Sequence, residues 1–79
     1  MPYPIYRKLI HGRSFYRIDA ADRFMEVQLM GSRAIVHEVI AHTYPEKLRM
    51  HEMVSLTGGH YAETDAAAFN AALGKADRP

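Results

Sequence analysis

The 79-residue chain carries ten lysines and arginines against nine aspartates and glutamates, and is 48% hydrophobic and 24% charged. That balance excludes a disordered polyelectrolyte tail and a collagen-like or low-complexity chain, and the short length points to one domain over residues 1–79. The absence of cysteine removes disulfide stapling, thiol catalysis, zinc knuckles and iron–sulfur ligation.

No apolar run approaches the roughly 18 to 20 residues that span a bilayer, and Met1-Pro2-Tyr3-Pro4 lacks the charged-then-apolar design of a signal peptide. A cytoplasmic protein without a membrane partner is the expectation. The near-neutral total conceals an asymmetry. Residues 1–18 hold Arg7, Lys8, Arg13 and Arg17 and no acid, whereas residues 19–79 carry six basic and nine acidic residues. Such a split bears on partners rather than on fold.

Ile5-Tyr6-Arg7-Lys8-Leu9-Ile10 and Ser14-Phe15-Tyr16-Arg17-Ile18 are rich in strand formers and flank His11-Gly12, so a hairpin is expected. A two-residue loop sets Ile10 opposite Arg13, Lys8 opposite Phe15 and Tyr6 opposite Arg17 on one side. Ile5, Leu9, Tyr16 and Ile18 then fall on the other. One face is apolar and the other basic and aromatic; a longer loop would exchange them.

Asp19 precedes Ala20-Ala21-Asp22-Arg23-Phe24-Met25-Glu26-Val27-Gln28-Leu29-Met30 and a glycine, which reads as a capped helix. The competing reading is a strand, in which Met25, Val27 and Leu29 share a face and the chain turns at Gly31-Ser32. Helix is preferred. From Arg33, Ala34-Ile35-Val36-His37-Glu38-Val39-Ile40-Ala41-His42-Thr43 has the β-branched density of a strand. After a turn at Tyr44-Pro45-Glu46-Lys47, the period-two pattern of Leu48, Met50, Val54 and Leu56 suggests a returning strand that enters Gly58-Gly59, a hairpin signal before His60-Tyr61-Ala62-Glu63. Thr43-Tyr44-Pro45-Glu46 also fits a capping box that opens a helix. The last element is a helix capped by Thr64 or Asp65, running through Ala66-Ala67-Ala68-Phe69-Asn70-Ala71-Ala72-Leu73 to Gly74, with Phe69 and Leu73 inward and 75–79 a frayed tail.

The expected fold is therefore α+β, a small two-layer sandwich in the order ββαβββα. Its mixed or antiparallel sheet carries two helices packed on one face, with a right-handed crossover through the first. Without the N-terminal hairpin, residues 19–74 look like the αβββα order of double-stranded-RNA-binding domains. That family opens its last helix with a lysine cluster, and Thr64-Asp65-Ala66-Ala67-Ala68 stands there instead, so the family is set aside.

Five histidines are the natural metal ligands and general bases to test. Their spacing contains no HxH or HExxH pattern, and His37-Glu38 and His51-Glu52 form two echoing units. In the strand reading His37 faces Val54 near Glu52, and His51 faces Ile40 near Glu38 and His42. Strand parity holds the two units apart, so no metal or other cofactor is expected. Ser14, Ser32 and Ser55 lack a nucleophile elbow, and Gly58-Gly59 lacks the surroundings of a phosphate loop. Met25, Met30, Met50 and Met53 read as core filling rather than as a groove.

The segment with the look of a binding surface is the N-terminal hairpin, with Tyr6, Lys8, Arg13, Phe15 and Arg17 as its candidate contacts. Rings stack on bases and cations meet phosphates, the ingredients of single-strand recognition. The same residues suit an edge hairpin guarded by its charges, with rings on the core or on a neighbouring subunit. The leading expectation is a small non-enzymatic binding or accessory module acting through protein contacts, with a homodimer as one form. Weak single-stranded nucleic-acid binding through the hairpin is the alternative.

Overall fold

In the computed structural model, which describes residues 3–75, seven elements follow one another. They are β1 (Ile5–Leu9), β2 (Ser14–Ala20), β3 (Arg23–Met30), β4 (Arg33–Ile40), α1 (Tyr44–Ser55), β5 (Tyr61–Glu63) and α2 (Ala66–Leu73). The five strands form one sheet in the order β4-β3-β2-β1-β5, antiparallel throughout. The α+β class, the five strands and the two helices agree with the sequence reading, and the N-terminal hairpin has the expected register, with Tyr6 opposite Arg17 and Lys8 opposite Phe15.

Two elements differ in type from the preferred reading. Residues 23–30 are a strand because the segment has apolar residues for both sides of the sheet: Phe24 enters one core cluster, and Met25, Val27 and Leu29 join the other. A strand covered on both faces loses the clean alternation that marks a half-buried one. Asp19 is not a helix cap. The ladder between β2 and β3 shifts by one residue between Ile18 and Ala20, and the Asp19 carboxylate accepts from Arg17 Nε at 2.8 Å. Gly31, at φ 65°, supplies the left-handed backbone that the two-residue turn into β4 needs.

Residues 44–55 are a helix, and the capping box decided it. Thr43 Oγ1 accepts from the Glu46 amide at 3.4 Å, and Glu46 Oε1 accepts from the amides of His42 and Thr43 at 2.8 and 3.1 Å. The inward residues of α1 are Met50 and Met53, a helical spacing of three, while Leu48 and Val54 of the expected period-two face are exposed. Gly58-Gly59 accordingly links α1 to β5 instead of joining two strands, with φ of 84° and 74°. α2 runs over the expected residues, with Asp65 as its cap accepting from the Ala68 amide at 2.8 Å. The expected frayed tail 75–79 lies, from residue 76 onward, outside the described residues.

The helices do not share a face. Tyr16, Ile18 and Phe24 pack against Met50 and Met53 of α1, whereas Val27 and Ala34 pack against Phe69 and Ala72 of α2. Tyr6, Phe15, Met25 and Leu29 surround the second cluster. Because successive strand residues point to opposite sides, the even residues of β2 and β3 meet α1 and the odd ones meet α2. The expected two-layer sandwich is thus a three-layer arrangement, with the sheet between the helices. The chain crosses from one sheet edge to the other through α1, which follows β4 and precedes β5, and not through the segment before β4.

Candidate binding surfaces

Tyr6, Lys8, Phe15 and Arg17 lie on one side of the β1–β2 hairpin, as their register requires. That side is the one α2 covers. The Tyr6 ring stands 5.7 Å from the Phe69 ring, the Arg17 guanidinium lies 5.6 Å from the same ring, and Phe15 is half-buried in the same cluster. Arg17 is also tied to Asp19. Lys8 and Arg13 are exposed, and Arg13 lies apart on a shallow depression with Gln28, Leu29, Met30 and Gly31. Three of the five candidate contacts therefore already engage α2 or its cluster.

Arg7, the fourth cation of this segment, points to the opposite side. Its Nε and a terminal nitrogen donate to the main-chain oxygens of Met53 and Val54 at 2.8 and 3.2 Å, which satisfies carbonyls in the last turn of α1. Across the sheet on that side runs one polar row: Glu63 opposite Arg7, Arg7 opposite Tyr16, Tyr16 opposite Glu26, and Glu26 opposite His37.

Arg49 of α1 closes over this row. It donates to the hydroxyls of Tyr16 and Tyr61 at 3.1 and 3.3 Å, approaches Glu26 at 3.5 Å, and lies 5.3 and 5.4 Å from the Tyr16 and Phe24 ring centroids. Tyr16 in turn donates to Glu26 Oε2 at 3.1 Å. Burial pushes the Tyr16 hydroxyl above its usual pKa, the hydrogen bond from Arg49 opposes this, and the Glu26 charge adds to the rise. The network joins helix to sheet with every member partnered. Period-two reasoning could not find it, because it placed Arg49 on a strand.

The paired His-Glu units dissolve with the expected strand. His37 lies opposite Glu26 rather than Val54, and His51 sits on α1 beside a shallow depression lined by Tyr3, Asp22 and Lys47. Among the described residues no three His, Asp or Glu side chains gather where they could hold a metal ion. Among the described residues no helix is long and apolar enough to cross a membrane. Of the four internal methionines, Met50 and Met53 are core, Met25 is half-buried, and Met30 is 53% exposed.

A surface that the sequence reading passes over lies at the β4 edge of the sheet. β4 is an edge strand of eight residues, and Ile35, Val36 and Ile40 on it are exposed, on both of its sides. The strand contains no lysine or proline, two of the usual protections of an edge, and its charges are Arg33 at the start and Glu38 within it. Its backbone parity is fixed by the ladder. The Ala41 amide donates to the Asp22 oxygen at 2.7 Å, so odd residues of β4 bond to β3. The Leu29 amide donating to Arg13 and the Thr64 amide donating to Tyr6 give the same alternation across the rest of the sheet. The amides and carbonyls of Ala34, Val36, Glu38 and Ile40 therefore point away from the sheet. The opposite edge, β5, is only three residues long. Comparison of the chain with protein-family models, with characterised proteins and with solved structures finds no match.

Proposed function

We propose that this protein is a small non-enzymatic binding module that acts through protein contacts, with the β4 edge as its working surface. The observation that carries this reading is the combination on one strand of outward main-chain donors and acceptors with exposed Ile35, Val36 and Ile40. An extended segment added there gains backbone hydrogen bonds, and alternate side chains contact each side of the sheet. Exposed apolar residues along an unpaired edge give a partner strand something to bury beyond the backbone hydrogen bonds.

The test is an NMR titration of the full chain with an extended eight-residue peptide of alternating valine and threonine. Shifts centred on the amides of Ala34, Val36, Glu38 and Ile40 are expected. Shifts confined to other elements, or none at millimolar peptide, would reject this surface. The nucleic-acid alternative rests on Lys8 and Arg13 as exposed cations, and it would move the β1–β2 hairpin resonances on adding an oligonucleotide.

A further inference from the structure

We propose that Met30 is a modification site, the methionine at which a peroxide oxidises the folded chain to the sulfoxide. The chain has no cysteine, so thioethers are its only sulfur groups, and which of them a peroxide reaches depends on how each is buried. The four internal methionines differ widely in this respect. Met50 and Met53 face inward from α1 and are 3% and 0% exposed, Met25 is half-buried against the α2 cluster, and Met30, the last residue of β3, is 53% exposed. An oxidant bound for Met50 or Met53 must first part α1 from the sheet. A sulfoxide formed there would set a polar oxygen among Tyr16, Ile18 and Phe24. At Met30 neither obstacle stands.

The neighbours of Met30 point the same way. It lines a shallow depression with Arg13, Gln28, Leu29 and Gly31. Gln28, two residues earlier on β3, lies on the same side of the sheet. Arg13 is held beside the strand by its main-chain oxygen, which accepts from the Leu29 amide at 2.7 Å. Both side chains are exposed, and their guanidinium and carboxamide are hydrogen-bond donors. Gly31 adds no side chain to shield the sulfur, and the space its Cβ would enter is open.

The step involves two reactants. The Met30 sulfur lone pair attacks one oxygen of hydrogen peroxide, the O–O bond breaks and an S–O bond forms. The departing oxygen gathers negative charge and takes up the proton released from the transferred one, leaving as water. Sulfur is oxidised by two electrons and the peroxide is reduced by two. Donors beside the sulfur favour this movement of charge, and afterwards they can donate to the sulfoxide oxygen. An apolar side chain at the end of β3 thereby becomes a polar acceptor next to Arg13. This site does not depend on the reading of β4 as a binding edge.

The test treats the full chain with hydrogen peroxide at neutral pH and follows each methionine by fragment mass spectrometry. Met30 should gain one oxygen atom several times faster than Met25, with Met50 and Met53 slowest. In urea the four should react at similar rates, which assigns the selectivity to the fold. Met30→Leu should abolish the fast uptake and leave the slow ones unchanged. Oxidation of Met25, Met50 or Met53 as fast as Met30 in the folded chain overturns the site. Selectivity that persists in urea overturns its structural origin. Arg13→Ala and Gln28→Ala should each slow uptake at Met30 while its exposure is kept; rates equal to the parent in both overturn the role given to the donors and leave exposure as the cause.

Discussion

Arg7, in the first strand, donates from Nε to the main-chain oxygen of Met53 at 2.8 Å, across 46 residues of sequence. α1 has no basic residue in its last turn, so a neighbouring strand supplies the cation that favours a helix C-terminus. The helix ends at Leu56, held in the left-handed region at φ 59°, where a leucine carries a cost that the surroundings must offset.

Arg7→Ala is expected to lower unfolding stability by roughly 1.5 to 3 kcal/mol, the range for hydrogen bonds from a charged group. Arg7→Lys should restore only part of this, since an ammonium lacks the planar fork that reaches both Met53 and Val54. Urea melts of the two variants check the order; an Arg7→Ala chain as stable as the parent would show that the contact adds nothing.

The Tyr16 network makes a second expectation, in alkali. Its pKa is raised in the folded state, chiefly by burial, so the folded chain holds the phenolic proton more tightly than the unfolded chain does. The corresponding stability is present below the ordinary tyrosine value of about 10 and is lost as pH rises through the higher folded value. Tyr16→Phe should remove this alkaline component while costing about 1 kcal/mol or more at neutral pH, because Arg49 and Glu26 lose their shared partner. Thermal melts between neutral and strongly alkaline pH, with and without the substitution, separate the two effects.

At the acid end, Glu46 accepts from the His42 and Thr43 amides, and these bonds hold its pKa below the usual carboxylate value. Its contribution is therefore present above that usual value and fades as pH falls through the lower folded one. Glu46→Ala should lower the melting temperature at neutral pH and show a shallower decline in acid than the parent. Glu46→Gln, which retains a side-chain acceptor but cannot titrate, should fall between them in melting temperature at neutral pH and share the shallow acid slope of Glu46→Ala. Equal acid slopes in all three chains would remove the cap from the account.

What the sequence made legible is what local chemistry dictates. The hairpin register follows from strand parity around His11-Gly12, and α2 follows from Asp65, an alanine run and Gly74, none of which needs tertiary help. The two exchanged elements were hidden for opposite reasons. Residues 23–30 lack a one-sided pattern because helices cover both sides of β3. The helical signal of α1 sat in the Thr43–Glu46 box and the Met50–Met53 spacing, while Leu48 and Val54 mimicked a strand face. Strand parity places Tyr6, Lys8, Phe15 and Arg17 on one side of the hairpin, but nothing local tells that Phe69 returns to pack against Tyr6 and Arg17. The β4 edge was equally invisible, since a strand becomes an edge only through the order of its neighbours.

Phe69 is fully buried between the sheet and α2 and touches both Tyr6 and Arg17. Phe69→Ala is expected to cost roughly 3 to 5 kcal/mol, a large share of the stability of a domain this small. Phe69→Leu retains most of the apolar volume and should cost much less. A thermal midpoint unchanged in Phe69→Ala would mean that α2 is not part of the cooperative core.

The same packing separates the two binding classes. If Tyr6 and Phe15 served to stack on bases, alanine there would weaken oligonucleotide binding by roughly 1 to 3 kcal/mol per ring, and affinity would fall steeply with salt. Because both rings sit in the α2 cluster, Tyr6→Ala and Phe15→Ala are expected instead to lower thermal stability. Lys8→Ala and Arg13→Ala, at exposed positions, should leave the melt nearly unchanged. Labelled single- and double-stranded oligonucleotides, titrated at low and physiological salt, should show no salt-sensitive complex in the micromolar range. Such a complex, weakened by Lys8→Ala and Arg13→Ala while Val36→Pro leaves it intact, would move the binding surface from β4 to the N-terminal hairpin.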